Sequence, residues 1–572
     1  MNGRLNHQQE KVYVRRSILL SSAIILIILS AFAPREAPPS AGTYDICFTG
    51  GWVMDGTGNP AFPAEVALTG DRIEGVFPPG TQVDAGRTID ITGKIIAPGF
   101  IDIHTHSYDA VREMSDWEGD DAPRFFAPNF IAQGVTTVVS NECGYGTTDI
   151  GMQRDVLTSK GTGPNVILLI GHNSVRREVM SPDHERAATD EEIAAMRVLV
   201  RQAMEDGAFG MSSGLEYVPA IWSTTDELVA LMEEIVPRGG FFQAHERASG
   251  YTPMWYVPSQ DEPDPPSMID NVLELIEVGE RSSGRIIVTH IKARGYDFWG
   301  GSRSIINLIS DARDRGVDIW ADAYPYTSSG SDGSVVLIPR WALGRDPRAT
   351  LTEVMADEER KADLFTDISH NFNWRGGAMN VVVMDYPDES YIGRSVGELA
   401  RERGISDVEM AIALQMEGFE RRAGGARLRG FSMSEIDIEA FYAQPWTATG
   451  SDANIALPSD GPVHARFYGT FPRKIRHYAL EQGAISVEDA VRTSTSLPAQ
   501  ILGLRDRGQI REGFFADIVV FDLETIRDTA TFFEPHQYAE GIDYVLVNGQ
   551  FTVEKGEMTW ERAGRVLQRS HR

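Results

Sequence analysis

Cysteine is almost absent: Cys47 and Cys143 are the only two in 572 residues. Two cysteines cannot build a disulfide framework, so any stability must come from a packed core. Positive charge is also scarce, with 53 Lys and Arg against 82 Asp and Glu and a formal net charge of −29. A field of that sign repels phosphate backbones and anionic lipid heads, which argues against nucleic-acid binding. Long apolar runs are missing beyond the first 40 residues, which excludes a protein that crosses the membrane many times. What is present is ordinary for a large core: hydrophobic residues are 42% and charged residues 24%. At roughly 150 residues per domain the length allows three or four domains, although barrels routinely exceed that size.

The one apolar run stands at the N-terminus. Arg15-Arg16 precedes Ile18 to Ala33, which ends in the small-x-small sequence Ala31-Phe32-Ala33. Basic flank, apolar stretch and small-residue exit form the layout of a secretory signal. The run is short against the roughly 20 apolar residues of a span. Pro34 hinders cleavage directly after Ala33, so the alternative is an uncleaved anchor. Either way the expectation is an exported body, periplasmic or held at the outer face of the cytoplasmic membrane. Pro34 to Ser40 reads as an extended linker.

Short β-type runs follow at Tyr44–Thr49, Glu65–Leu68 and Arg72–Phe77, and a matching set returns at Asp517–Asp522 and Tyr544–Gly549. Such pieces at opposite ends of the chain suggest one small sheet domain built from both termini. Between them, apolar strands alternate with amphipathic helical stretches, the pattern of parallel α/β architecture. Eight strand candidates stand out: Ile96–Ile103, Thr136–Ser140, Val166–Ile170, Ala208–Ser212, Phe241–Ala244, Ile286–Thr289, Asp318–Ala321 and Thr447–Thr449. Eight is the number that closes a (β/α)8 TIM barrel, whose active site lies at the C-terminal strand ends. The gap before the last strand is too long for a loop, and it contains the strand-like Asn380–Val383 and the helical Ser395–Arg403. The expected division is therefore a signal or anchor plus linker over 1–40 and a β-sandwich over 41–95 and 505–572. The barrel occupies 96–338 and 446–504, with an inserted subdomain over 339–445 between its seventh and eighth strands.

The chemistry gathers behind those strands. His104 and His106 follow the first, Cys143 the second, His245 the fifth, His290 the sixth and Asp452 the eighth. Imidazoles, a thiolate and a carboxylate converging on one rim are the donor set of a zinc-type centre. His104 and His106 stand two apart on extended chain, so both side chains leave one face. Each residue also has a bland reading: His245 satisfied by local carboxylates, His290 capping a helix, Cys143 packed in the core. Cys143, however, sits in the polar, glycine-rich Asn141-Glu-Cys-Gly-Tyr-Gly146, whereas Cys47 lies in a terminal strand and reads as packing. Asp452 has a competitor in Asp460, but Asp452 stands just past the β-run and Asp460 out in the following loop.

With these motifs in place, the chain resembles the amidohydrolase superfamily, and more closely its D-aminoacylase branch, the N-acyl-D-amino-acid deacylases. The matching stretches are Ala97-Pro-Gly-Phe-Ile-Asp-Ile-His-Thr-His106, Ser140-Asn-Glu-Cys-Gly144, Gly207 to Tyr217, Ala244-His-Glu-Arg247, Thr289-His-Ile-Lys292, Asp322-Ala-Tyr-Pro-Tyr326, His464 to Arg473 and Gly513 to Asp522. The resemblance runs from about Tyr44 to about Leu567. It implies a barrel with a β-sandwich side domain, in which Cys143, His245 and His290 hold a tightly bound Zn2+ and His104 and His106 complete a second position. It further implies that Arg466, Lys292 and Tyr324 bind the α-carboxylate of a small-molecule N-acyl amino acid. A serine that the family places six residues after that tyrosine is Gly330 here, flanked by Ser329 and Ser331.

The reaction expected from these residues is metal-assisted hydrolysis of the amide bond of an N-acyl-D-amino acid, with Asp452 as general base and then acid. Two alternatives are weaker: a cyclic amide, imide or isoaspartyl dipeptide as substrate, and a non-catalytic scaffold. The cysteine loop with the His464-to-Arg473 motif argues against the first, and the complete ligand set argues against the second.

Overall fold

In a computed structural model, residues 43–109, 119–330 and 335–569 are described. The N-terminal signal or anchor and Ser331 lie outside them. The described parts of Tyr44–Thr81 and Ala85–Arg572 form one compact unit, and Thr43 and Gln82–Asp84 fall outside it. Among the described residues no helix is long and apolar enough to cross a membrane.

Parallel strands covered on both faces are buried along their length rather than alternating, and those of the middle region are, with apolar residues joined by small hydroxyl side chains. They are β1 (Phe100–Asp102), β2 (Val135–Ser140), β3 (Asn165–Leu168, resuming at Ile170–Gly171), β4 (Gly210–Gly214), β5 (Phe241–His245), β6 (Arg285–Val288), β7 (Ile319–Ala323) and β8 (Thr447–Thr449). All residues of β2, β5 and β7 are buried. The strands pair in parallel as two arcs, β1-β2-β3 and β3-β4-β5-β6-β7-β8. Phe209 N donates to Leu168 O at 2.9 Å beside β3, and Ile103 N to Thr449 O at 3.4 Å where β1 meets β8. Amphipathic helices cover the outside, several of them started by side-chain caps. Thr189 with Glu192 closes a capping box on Asp190–Glu205, and Thr224 caps Thr225–Ile235.

The run Ile96–Ile103, expected as one strand, divides in two. Ile95–Pro98 pairs with Ile518–Phe521 and Trp52–Val53 in a seven-stranded sheet, while Phe100–Asp102 becomes β1 of the barrel. Gly99 is the joint. A Cβ there would lie 2.2 Å from Thr136 Cγ2 and 2.3 Å from its Oγ1, inside the fully buried β2. Gly99→Ala should therefore cost on the order of 1–3 kcal/mol, as overpacking of a rigid core does, seen as a lower midpoint of thermal unfolding.

The seven-stranded sheet combines both ends of the chain. It faces a four-stranded sheet of Arg72–Phe77, Glu65–Thr69, Tyr44–Thr49 and Ala85–Asp90. Phe48, Val66 and Ile73 pack with Ile518, Val520 and Leu546 in the core between them. Cys47 is buried in this layer, and burial pushes its thiol up to about 11. Between β7 and β8 a helical insertion surrounds the antiparallel pair Val381–Asp385 and Arg427–Gly430, with its own core of Leu351, Leu364, Ile368, Leu399 and Leu414. Ser395, expected inside a helix, is instead the N-cap of Val396–Arg403 and forms a capping box with Glu398.

Candidate metal centre

Register brings the donors together. Gly214 of β4 pairs with His245 at the end of β5, and Val288 of β6 with Ala321 of β7. The residues just beyond, Glu216, His290 and Asp322, are therefore carried to the same rim. Three of the chemically important residues there have backbone in the left-handed region: Cys143 at φ 53°, His290 at φ 35° and Asp452 at φ 51°. That conformation is costly for non-glycine residues and persists where surroundings enforce it, as at functional sites. Gly144 beside Cys143 has φ 79°, and a Cβ on it would lie 1.9 Å from Asn173 Oδ1. Only glycine lets the Cys143 loop sit this close to the β4 exit.

Cys143 Sγ lies 3.7 Å from His104 Nε2, 3.6 Å from His245 Nδ1 and 3.8 Å from His290 Nε2. Two overlapping donor groups result, His104–His106–Cys143 and Cys143–His245–His290, with Cys143 common to both. Zinc–sulfur and zinc–nitrogen bonds of about 2.3 and 2.0 Å at a tetrahedral angle put the two donor atoms roughly 3.5 Å apart. The residues present thus fit a zinc ion, and the shared sulfur fits a pair.

The imidazoles are oriented from behind. His245 Nε2 is 3.0 Å from Glu216 Oε2, whose other oxygen accepts from Met254 N at 2.5 Å. This leaves Nδ1 of His245 toward Cys143, so Glu216 assists the site through the ring. Asp322 accepts from His290 N at 2.9 Å and from Thr289 Oγ1 at 2.6 Å, and the same hydroxyl contacts His104 Nδ1. Burial pushes Asp322 up to about 7 against those hydrogen bonds. Lys292 Nζ lies 2.6 Å from His290 Nδ1, and Asp109 Oδ2 lies 3.0 Å from His106 Nδ1. Burial holds His104 and His290 well below the usual imidazole range, which keeps them neutral and able to ligate. Burial also disfavours charge on His106, yet Asp109, Asp452 and Cys143 hold it well above that range. The Cys143 thiol is pushed up to about 12 by burial, with His106 opposing. A bound cation would reverse that shift, since a coordinating thiol is deprotonated.

Asp452 Oδ1 is 3.4 Å from His106 Nε2 and 3.7 Å from His104 Nε2. Burial works against its charge, but Arg466 and the imidazole of His106 outweigh it and hold the carboxyl well below its usual range. Arg466, 2% exposed, grips Asp452 twice, Nη2 to Oδ2 at 3.0 Å and Nε to the carbonyl at 2.8 Å. The competitor Asp460 instead accepts from Arg124 and Leu457 N, a loop anchor away from the donors.

Of these groups His106, Asp109, Cys143, His245, His290, Asp452 and Arg466 line one cavity of about 860 Å³, along with Lys292, Arg294, Tyr324, Ser329, Gly330 and Arg375. The Arg466 guanidinium lies 4.7 Å and the Lys292 ammonium 5.7 Å from the Tyr324 ring centroid. Tyr324 Oη and Arg466 Nη1 are buried without a hydrogen-bond partner. Buried donors left unmet are costly and mark a place where a ligand supplies the acceptor. At Gly330, φ is 85° and the space around a Cβ is open, while Ser329 carries a hydroxyl into the cavity wall one residue earlier. Asp322, Arg294 and Arg375 were not singled out from the sequence; for Asp322 the signal was its place at the end of a strand.

Comparison with known proteins agrees with this geometry. The pattern of the Amidohydrolase family matches residues 374–553. D-aminoacylase of Alcaligenes xylosoxydans xylosoxydans is 32% identical over 552 residues, covering 92% of this chain and 98% of the relative. N-acyl-D-aspartate deacylase of the same organism is 32% identical over 564 residues, covering 93% and 96%. The crystal structure of N-acyl-D-glutamate deacylase from Bordetella bronchiseptica, complexed with zinc and a phosphonate inhibitor, superposes with a TM-score of 0.69 at 27% identity, covering 92% of this chain and all of that one.

Proposed function

Because the chain belongs to the D-aminoacylase branch of the amidohydrolases, we propose that its cavity hydrolyses the amide bond of N-acyl-D-amino acids, releasing a carboxylate and a free D-amino acid. The observation that carries the reading is the pair of unmet donors, Tyr324 Oη and Arg466 Nη1, in the same cavity as Asp452 and the metal donors. Cys143, His245 and His290 would hold the tightly bound zinc, and His104 and His106 a second ion through the shared sulfur. Zinc, when bound, polarises the scissile carbonyl and lowers the pKa of its water.

The protein's own groups do the rest. Arg466, Lys292 and Tyr324 present a guanidinium, an ammonium and a phenol to the amino acid's α-carboxylate, which fixes the amide for attack. Asp452, ionised and steered by Arg466, takes the proton of the attacking water at Oδ1 and returns it to the leaving nitrogen. Arg466 thus connects substrate binding to the orientation of the base. Lysine at this position has no fork to span both tasks. Arg466→Lys should raise KM and lower kcat together, each by about 10-fold or more, in steady-state kinetics.

The test of the reaction is amine release from paired N-acetyl-D- and N-acetyl-L-amino acids by zinc-loaded protein lacking residues 1–40. Strong preference for the D series is expected, and no release from either would overturn it. From the basic, apolar and small-residue segments before Ser40 we also infer that the body works outside the cytoplasm. Deacylase activity in the periplasmic or membrane fraction of cells is the expected result.

A further inference from the structure

One group of charges in the cavity takes no part in holding the metal, the base or the α-carboxylate. Arg294 follows β6 two residues after Lys292, and Arg375 ends the helix Glu358–Trp374 of the insertion. The Arg294 guanidinium lies 3.5 Å from the Trp374 ring centroid and that of Arg375 lies 4.4 Å from it. The indole is itself fixed, donating from Nε1 to Thr252 O at 3.1 Å. Stacking uses the faces of the guanidiniums and leaves their N–H edges to find acceptors. Among the described residues neither edge has an ion-pair or hydrogen-bond partner, and Arg294 Nε is buried and unmet. Of the other cations of the cavity, Arg466 pairs with Asp452 and Arg124 with Asp460, while Lys292 lies against His290 Nδ1. Burial lowers both arginines from their usual range, and Arg294 adds to the effect on Arg375.

A buried guanidinium, Arg294, and a half-buried one, Arg375, share one indole, and Glu216, whose charge favours both, makes no ion pair with either, so the arrangement is costly unless an anion comes between them. A purely structural stack would need only one cation and no orphaned donors. We propose that Arg294 and Arg375, held by Trp374, are a second anion subsite, and that the preferred N-acyl-D-amino acid carries a second carboxylate besides the α-carboxylate. This rests on the deacylase reading and adds the substrate class to it. The second carboxylate can sit on the amino-acid side chain or on the acyl group, and the two sources separate experimentally.

The zinc-loaded enzyme is assayed with N-acetyl-D-glutamate against N-acetyl-D-glutamine, and with N-succinyl-D-leucine against N-butanoyl-D-leucine. One of the two charged substrates should exceed its neutral counterpart in kcat/KM by about 10- to 100-fold, the worth of charge-assisted hydrogen bonds. Which pair shows it locates the subsite at the side chain or the acyl group. Arg375→Gln and Arg294→Gln should each bring that ratio toward one, and the native comparison stands even if a variant fails to fold. Equal or faster cleavage of both neutral substrates overturns the subsite and leaves the deacylase reading intact. No cleavage of any D-substrate overturns both.

Discussion

Asp452→Asn should lower kcat by on the order of 10²–10⁴-fold, the range for loss of a positioned general base, while zinc content stays at the native level. The two halves of this expectation come from the same geometry. Asparagine keeps the shape and still accepts from Arg466 Nη2, so the 3.0 Å contact that orients the side chain has a replacement. Asp452 is not in either group of clustered metal donors, so their composition is unchanged. What disappears is the ability to take a proton from water and give it to the leaving nitrogen. Because Arg466 also faces the substrate carboxylate in the proposed reaction, KM should move far less than kcat. Metal analysis by mass spectrometry, alongside steady-state kinetics on one preparation, checks both. A variant that retains kcat within tenfold would remove Asp452 from the base's role, and one that loses zinc would make it a ligand.

The architecture was readable in the sequence wherever one local rule decided the outcome. Strands such as Val135–Ser140 and Phe241–His245 are rich in β-branched and aromatic residues and buried throughout because both faces are covered, so the metal-competent residues at or just past their ends are conspicuous. His104, His106, Cys143, His245, His290 and Asp452 were all visible by that means. Readings failed where distant segments meet. Nothing local in Ile96–Ile103 tells that it serves two sheets, since the break at Gly99 is dictated by the side chain of Thr136 on the neighbouring strand. Asp322 opens the motif Asp322-Ala-Tyr-Pro-Tyr326, but its grip on His290 and Thr289 follows from the pairing of β6 with β7. The Arg294–Trp374–Arg375 stack joins a barrel loop to an inserted helix, and no periodicity in either segment encodes the meeting.

Cys143→Ala should be more damaging to metal binding than any single histidine substitution, because Cys143 alone belongs to both donor groups. Its sulfur lies within 3.8 Å of nitrogens at the C-terminal ends of three separate barrel strands, β1, β5 and β6. Removing a mere hydrogen-bond partner of a ligand typically costs about 10- to 100-fold in metal affinity, so losing this ligand should exceed about 100-fold. Activity should fall with the bound zinc. His104→Ala touches only the group that contains His106, so it should retain about one equivalent of zinc with Cys143, His245 and His290 still in place. The stability readout separates loss of metal from loss of fold. A ligand that binds only the native state stabilises it, so chelation of the native enzyme should lower its thermal midpoint. The Cys143→Ala protein should already unfold near the chelated midpoint and respond little to further chelator. An unchanged zinc content in Cys143→Ala would mean that the histidines alone hold the ion. The left-handed backbone at Cys143 would then need another explanation.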